Sequence, residues 1–99
     1  MNLYLISQSV NSGYDTYDSA VVVATNELEA SMVHPNRWNE FTYIDGKGWY
    51  DNDDLMDNDY DYPDYSWANH PEEVTVEYLG QAHYKLDTTK VVCASFNAG

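Results

Sequence analysis

Hydrophobic and polar positions along this chain alternate mostly with the period of two that marks strands. In Leu3–Gln8, Leu3 and Leu5 share one side while Tyr4 and Ile6 share the other, which predicts a strand partly covered on both faces. Asn11-Ser-Gly13 is a turn signal. Ser19–Ala24 follows as a β-branched run, the strongest strand signal in the chain. The two strands are expected to pair as a hairpin with a long connection. The period then changes. Asn26 is a natural N-cap with Glu29 in capping-box position, and Glu27 and Glu29 suit the positive end of a helix dipole. Leu28, Met32 and Val33 would form the buried stripe of a helix of about two and a half turns, which Pro35 stops.

Beyond the helix, Phe41–Ile44 predicts a short strand and Asp45-Gly-Lys-Gly48 a turn, and Asn69-His-Pro71 closes an irregular region. Val74–Leu79 alternates cleanly and Gly80 ends it. Val91–Phe96 is the last strand, with Asn97–Gly99 as a short tail. The order is β-β-α-insert-β-β. It predicts an α+β fold in which an antiparallel sheet of about four strands carries one short helix on a face. The whole chain, 1–99, is one domain, with residues 45–70 forming an acidic and aromatic insert loop within it. Tyr4, Trp38 and Tyr78 are expected to pack in or against the core.

Charge changes the picture most. The chain has 17 Asp and Glu against four Lys and Arg, a net charge of −13. Such a surface repels free nucleic acid and anionic membranes, and Arg37, Lys47, Lys85 and Lys90 form no basic run. Direct nucleic-acid binding and a membrane partner are therefore not expected. No apolar run approaches a membrane span, and the N-terminus lacks the pattern of a secretory signal, so a cytoplasmic protein is expected. Cys93 is the sole cysteine, within Val91-Val-Cys-Ala94, and reads as a buried core thiol.

Seven of the 17 acidic groups fall in the fourteen residues from Asp51 to Asp64, with no Lys or Arg among them. If Asp57–Asp61 is extended, Asp57, Asp59 and Asp61 point to one side. Same-side residues of a strand are about 6.5–7 Å apart, close to the spacing of neighbouring phosphates on a DNA strand. A row of this kind suits the Lys and Arg sites that a nucleic-acid-handling protein keeps for phosphates. A helical form would set Asp57 against Asp61 at i, i+4. The expected partner-binding residues are Asp51, Asp53, Asp54, Asp57, Asp59, Asp61 and Asp64, with Tyr60, Tyr62 and Tyr65 as aromatic contacts. The bland alternative is a solvated acidic loop.

Other chemistry is weakly signalled. Asp57-x-Asp59-x-Asp61 resembles the start of a calcium loop, but Tyr62 stands where glycine is needed and Ala68 where a bidentate Glu is needed. A small-ligand or divalent-cation-binding module is one alternative reading, and a structural or accessory component is another. His34, His70 and His83 lie far apart and read as surface histidines. Ser19 and Ser95 lack a nucleophile-elbow context. No catalytic residue, metal site or cofactor is assigned, and the chain does not read as an enzyme.

Two terminal segments, Tyr14-Asp-Thr-Tyr-Asp-Ser-Ala-Val-Val-Val-Ala24 and Val91-Val-Cys-Ala-Ser-Phe-Asn-Ala-Gly99, together with Val74–Ala82 between them, resemble small acidic proteins encoded by bacteriophages and prophages. The group carries no settled activity, so the resemblance assigns no catalytic residue. It implies a phage setting, in which small acidic proteins often block host defence or host DNA enzymes, as anti-CRISPR and anti-restriction proteins do. The function expected is that of a phage accessory protein in the host cytoplasm. It would occupy the basic nucleic-acid-binding groove of a host protein as a nucleic-acid mimic. A homodimer is open to it through an unpaired sheet edge, such as that of the first or last strand.

Overall fold

The β-branched run lies at the heart of the structure. In the computed structural model, which describes residues 1–97, it extends in both directions to form β2, Thr16–Ala24. β2 pairs antiparallel with β1, Asn2–Ser7, in the register Tyr4↔Val22 and Ile6↔Ala20. The predicted hairpin is thus formed. β1 pairs on its other side with β5, Thr75–Gln81, and β2 with β6, Lys90–Asn97, giving an antiparallel sheet in the order β5-β1-β2-β6. The first strand is therefore interior and offers no free edge; β5 and β6 are the edges. Ala98 and Gly99, expected in the tail, lie outside the described residues, while Asn97 belongs to β6. The strand expected to stop before Gly80 runs on to Gln81. Gly80 stands opposite Leu3 and Tyr78 opposite Tyr4, so Leu79 bulges between them.

Tyr4, Ile6, Ala20, Val22 and Ala24 line one face of this sheet and belong to the core cluster. The alanines leave room that larger side chains fill, and the fillers come from the insert. Trp49 and Trp67, 1% and 0% exposed, pack with Ala20, Ala24, Ala30 and Ala68. β3, Phe41–Ile44, and β4, Gly48–Asp51, form a second, two-stranded sheet that brings Trp49 in. Residues 45–70, expected as a loop within the domain, carry β4, and their rings supply the largest buried side chains among the described residues.

The helix is smaller than expected. α1, Glu27–Ser31, spans five residues, and Asn26 caps it by accepting from Glu29 N at 2.8 Å. Glu29 does not complete the capping box. Its carboxylate accepts from the backbone N–H and hydroxyl of Thr25 and from the Thr89 hydroxyl. With so short a helix, Ala30 is the residue it buries. Leu28 and Met32, expected in the stripe, are exposed, and Val33 packs at the margin of the core. Trp38 and Tyr78 are also exposed, at 83% and 55%, although Tyr78 meets the buried Tyr4 edge to face at 5.8 Å. Cys93 is exposed rather than buried. No helix among the described residues is long and apolar enough to cross a membrane.

Candidate interaction surface

The acidic run folds locally into a helical turn. Asp51 is the N-cap of α2, Asn52–Met56, its carboxylate accepting from Asp53 N at 2.9 Å. Asp53 and Asp54 occupy the first turn, where the helix dipole favours them. The helix closes through a Schellman arrangement. Asn58 takes a left-handed φ of 53°, its N–H donates to Leu55 O at 3.1 Å, and Asp59 N donates to Asp54 O at 2.9 Å. Asp59 then accepts from Asp61 N at 3.0 Å. Asp57, Asp59 and Asp61 therefore do not form the extended one-sided row expected of them. Asp57 caps the helix C-terminus, Asn58 reverses the chain and Asp59 holds the turn that follows.

What forms instead is a compact lobe of Asp51, Asp53, Asp54, Asp57, Asp59 and Asp61. Desolvation, followed by the charges of Asp59, Asp51, Asp53 and Asp57, raises the Asp54 carboxyl above the usual range. Asp57 adds a negative charge at the negative end of α2, and no basic residue lies in the last turn. Tyr60 is less free than expected: its ring meets Tyr50 at 5.6 Å and the Lys47 ammonium lies 4.0 Å from its centre. The Tyr50 hydroxyl donates to Tyr60 O at 3.1 Å, fixing the lobe to β4. Tyr62 and Tyr65 are exposed.

Asp64 does not belong to this surface. Its carboxylate accepts from His34 Nε2 at 2.7 Å and from the Ser66 hydroxyl and backbone N–H, while Asp64 N donates to Trp49 O at 2.7 Å. His34, expected at the surface, is buried and stacked on Phe41 at 4.3 Å. Its Nδ1 accepts from Asn36 N at 3.0 Å, which assigns the proton to Nε2, facing Asp64. Burial works to raise the Asp64 carboxyl, but the bonds from His34 and Ser66 outweigh it and hold it below the usual range. Burial, followed by the charge of Asp64, raises the neighbouring Tyr17 phenol.

A His, an Asp and a Ser in contact invite a catalytic reading, which the connectivity opposes. Ser66 and His34 both donate to Asp64, so the serine is not on the imidazole, and both imidazole nitrogens are engaged. The trio is a clamp joining the residues after α1 to the end of the insert. Tyr17 N donates to Ser66 O at 2.7 Å and Asn11 Nδ2 to Trp67 O at 2.7 Å, so β2 and its preceding loop are fastened to the same segment. His70 also has a local role. It caps the short 3-10 turn Pro71–Glu73, accepting from Glu72 N at 3.0 Å, while Glu73 accepts from His70 N. Among the described residues no group of three or more His, Cys, Asp or Glu side chains is placed to hold a metal ion.

A cavity of about 640 Å³ adjoins the first residue of α2. It lies between the end of α1, the 36–40 turn, β3 and the start of β6, with Asn52 of α2 at its rim. A smaller one of about 250 Å³ lies between the 43–49 hairpin and residues 63–69. No protein family, curated protein or solved structure matches the chain.

Proposed function

We propose that this protein is a phage-encoded inhibitor whose acidic lobe occupies the basic, nucleic-acid-binding groove of a host defence or DNA-handling protein. The observation that supports the reading is the crowding of aspartates onto α2 and its closing turns, where desolvation and then the charges of Asp59, Asp51, Asp53 and Asp57 raise the Asp54 carboxyl. Within this lobe the charges repel one another. A partner presenting Lys and Arg relieves that repulsion on binding, so the lobe has more to gain from a cationic surface than the same charges dispersed. The mimicry is of a dense anionic surface, not of a regular row of phosphates. Exposed Tyr62 and Tyr65 beside it offer rings to Arg guanidinium groups.

Asp53, Asp57 and Asp61 are the residues to change, because their carboxylates support no hydrogen bond of the lobe among the described residues, whereas Asp51 and Asp59 cap and brace it. Host lysate is passed over wild type and the Asp53→Lys/Asp57→Lys/Asp61→Lys variant. A nucleic-acid-binding protein should be retained by wild type, displaced by added duplex DNA, released by moderate salt and lost by the variant. Equal retention by both proteins, or indifference to DNA, would refute the proposal.

A further inference from the structure

We infer that the cavity between the end of α1, the 36–40 turn, β3 and the start of β6 binds a small phosphorylated aromatic molecule of the nucleoside monophosphate class. Its volume, about 640 Å³, is in the range of small-molecule sites. Arg37 and Lys90, two of the four Lys and Arg side chains, both line it. The chain carries 17 acidic groups, yet neither cation makes an ion pair among the described residues. Positive charge left without an ion pair in so acidic a protein, with both side chains lining one cavity, points to an anion supplied from outside.

The ring beside these charges identifies the rest of the ligand. Trp38 lines the cavity and is 83% exposed, and the Arg37 guanidinium sits 5.6 Å from its ring centre. A large exposed indole loses apolar burial unless a partner covers it, and a planar base is such a partner. The backbone that carries Trp38 is held. Asn36 Oδ1 accepts from Trp38 N at 2.9 Å and Asn39 N at 3.1 Å, and Asn36 N is itself bound to the buried His34. The clamp thus anchors the turn that carries both Arg37 and Trp38. Glu40, also in the lining, supplies an acceptor for a ribose hydroxyl or an exocyclic amine. Phosphate on Arg37 and Lys90 with the base on Trp38 uses the aromatic and both cations at once.

Trp49 and Trp67 are buried, so Trp38 is the solvent-facing indole and its fluorescence reports occupancy directly. AMP should quench it saturably, with adenosine and inorganic phosphate each binding more weakly than AMP. Arg37→Gln/Lys90→Gln should weaken AMP roughly tenfold or more, the effect of losing charge-assisted hydrogen bonds. Trp38→Leu, followed by calorimetry, should weaken AMP while leaving phosphate unchanged. All three side chains are exposed, so thermal melts should match wild type and separate a lost site from a lost fold. Absence of saturable quenching up to about 1 mM AMP, equal affinity for adenosine and AMP, or AMP binding unchanged by Arg37→Gln/Lys90→Gln would overturn the inference.

Discussion

Replacing Asp64 with alanine should cost far more stability than replacing any aspartate of the exposed lobe. The carboxylate holds the His34 Nε2–H at 2.7 Å and the Ser66 hydroxyl at 2.8 Å, and the His34 side chain is 1% exposed. Without Asp64, a buried imidazole N–H loses its acceptor, which costs about 1–3 kcal/mol, and the charge-assisted bonds vanish with it. The sum is roughly 3 kcal/mol. For a domain of this size each kcal/mol is about 4–8 °C of melting temperature, so Asp64→Ala should lower it by roughly 12–24 °C. Asp64→Asn keeps a carbonyl acceptor for His34 and should lose about half as much. Urea unfolding of wild type, Asp64→Ala, His34→Ala and the double variant measures the coupling, expected at about 1.5–3 kcal/mol. A melting temperature for Asp64→Ala within about 2 °C of wild type, or a coupling near zero, would show that the clamp does not hold the insert to the sheet.

Two further outcomes follow from the same geometry. The folded-state pKa of Asp54 is raised, so its charged form opposes folding at neutral pH and that cost disappears as the pH falls through the raised pKa. Asp64 is lowered, so its contribution is complete above the unfolded carboxylate pKa and is lost as the pH falls through the depressed one. Asp54→Asn should therefore raise the melting temperature at pH 7, with the gain shrinking on acidification; a gain that is absent or independent of pH in a series of melts contradicts the crowding. Trp67→Ala should destabilise by about 3–5 kcal/mol in urea titrations whereas Trp38→Ala changes stability by less than about 0.5 kcal/mol, and similar losses for both would contradict the burial of one and exposure of the other.

The sheet was legible in the sequence because period-two alternation and β-branching act locally. Which side faces the core was not legible: the Tyr4/Ile6 and Ala20/Val22 sides do. The helix was legible at its start, where Asn26 caps it, but not in its buried face. A stripe at i, i+4 and i+5 presupposes two or more turns, and this helix has too few residues to bring Leu28 and Met32 onto the sheet. The acidic segment carried a signal that alternation obscured. Asp51 in N-cap position and Asn58, a residue tolerant of left-handed φ, bracket Asn52–Met56 as a short helix. The His34–Asp64 pair was not legible. It joins residues thirty apart, and only the tertiary fold brings them together.

That pair also explains how so acidic an insert remains attached to the domain. Ion pairs do not do it: among the described residues the His34–Asp64 contact is the one recorded between a basic and an acidic side chain. Three of the four cations sit over rings instead, Arg37 on Trp38, Lys47 on Tyr60 and Lys85 on Tyr84. The insert is fastened by Trp49 and Trp67 in the core and by backbone bonds at Trp49 and Ser66, with Asp64 turned inward to the imidazole. Hydrophobic burial does not weaken when like charges crowd nearby, whereas surface ion pairs would spend the lobe's carboxylates on the chain's own cations. Anchoring by rings leaves both sets of charge unneutralised, the aspartates on the lobe and Arg37 and Lys90 at the cavity. Asn52, first residue of α2 and part of the cavity lining, is where the two regions meet.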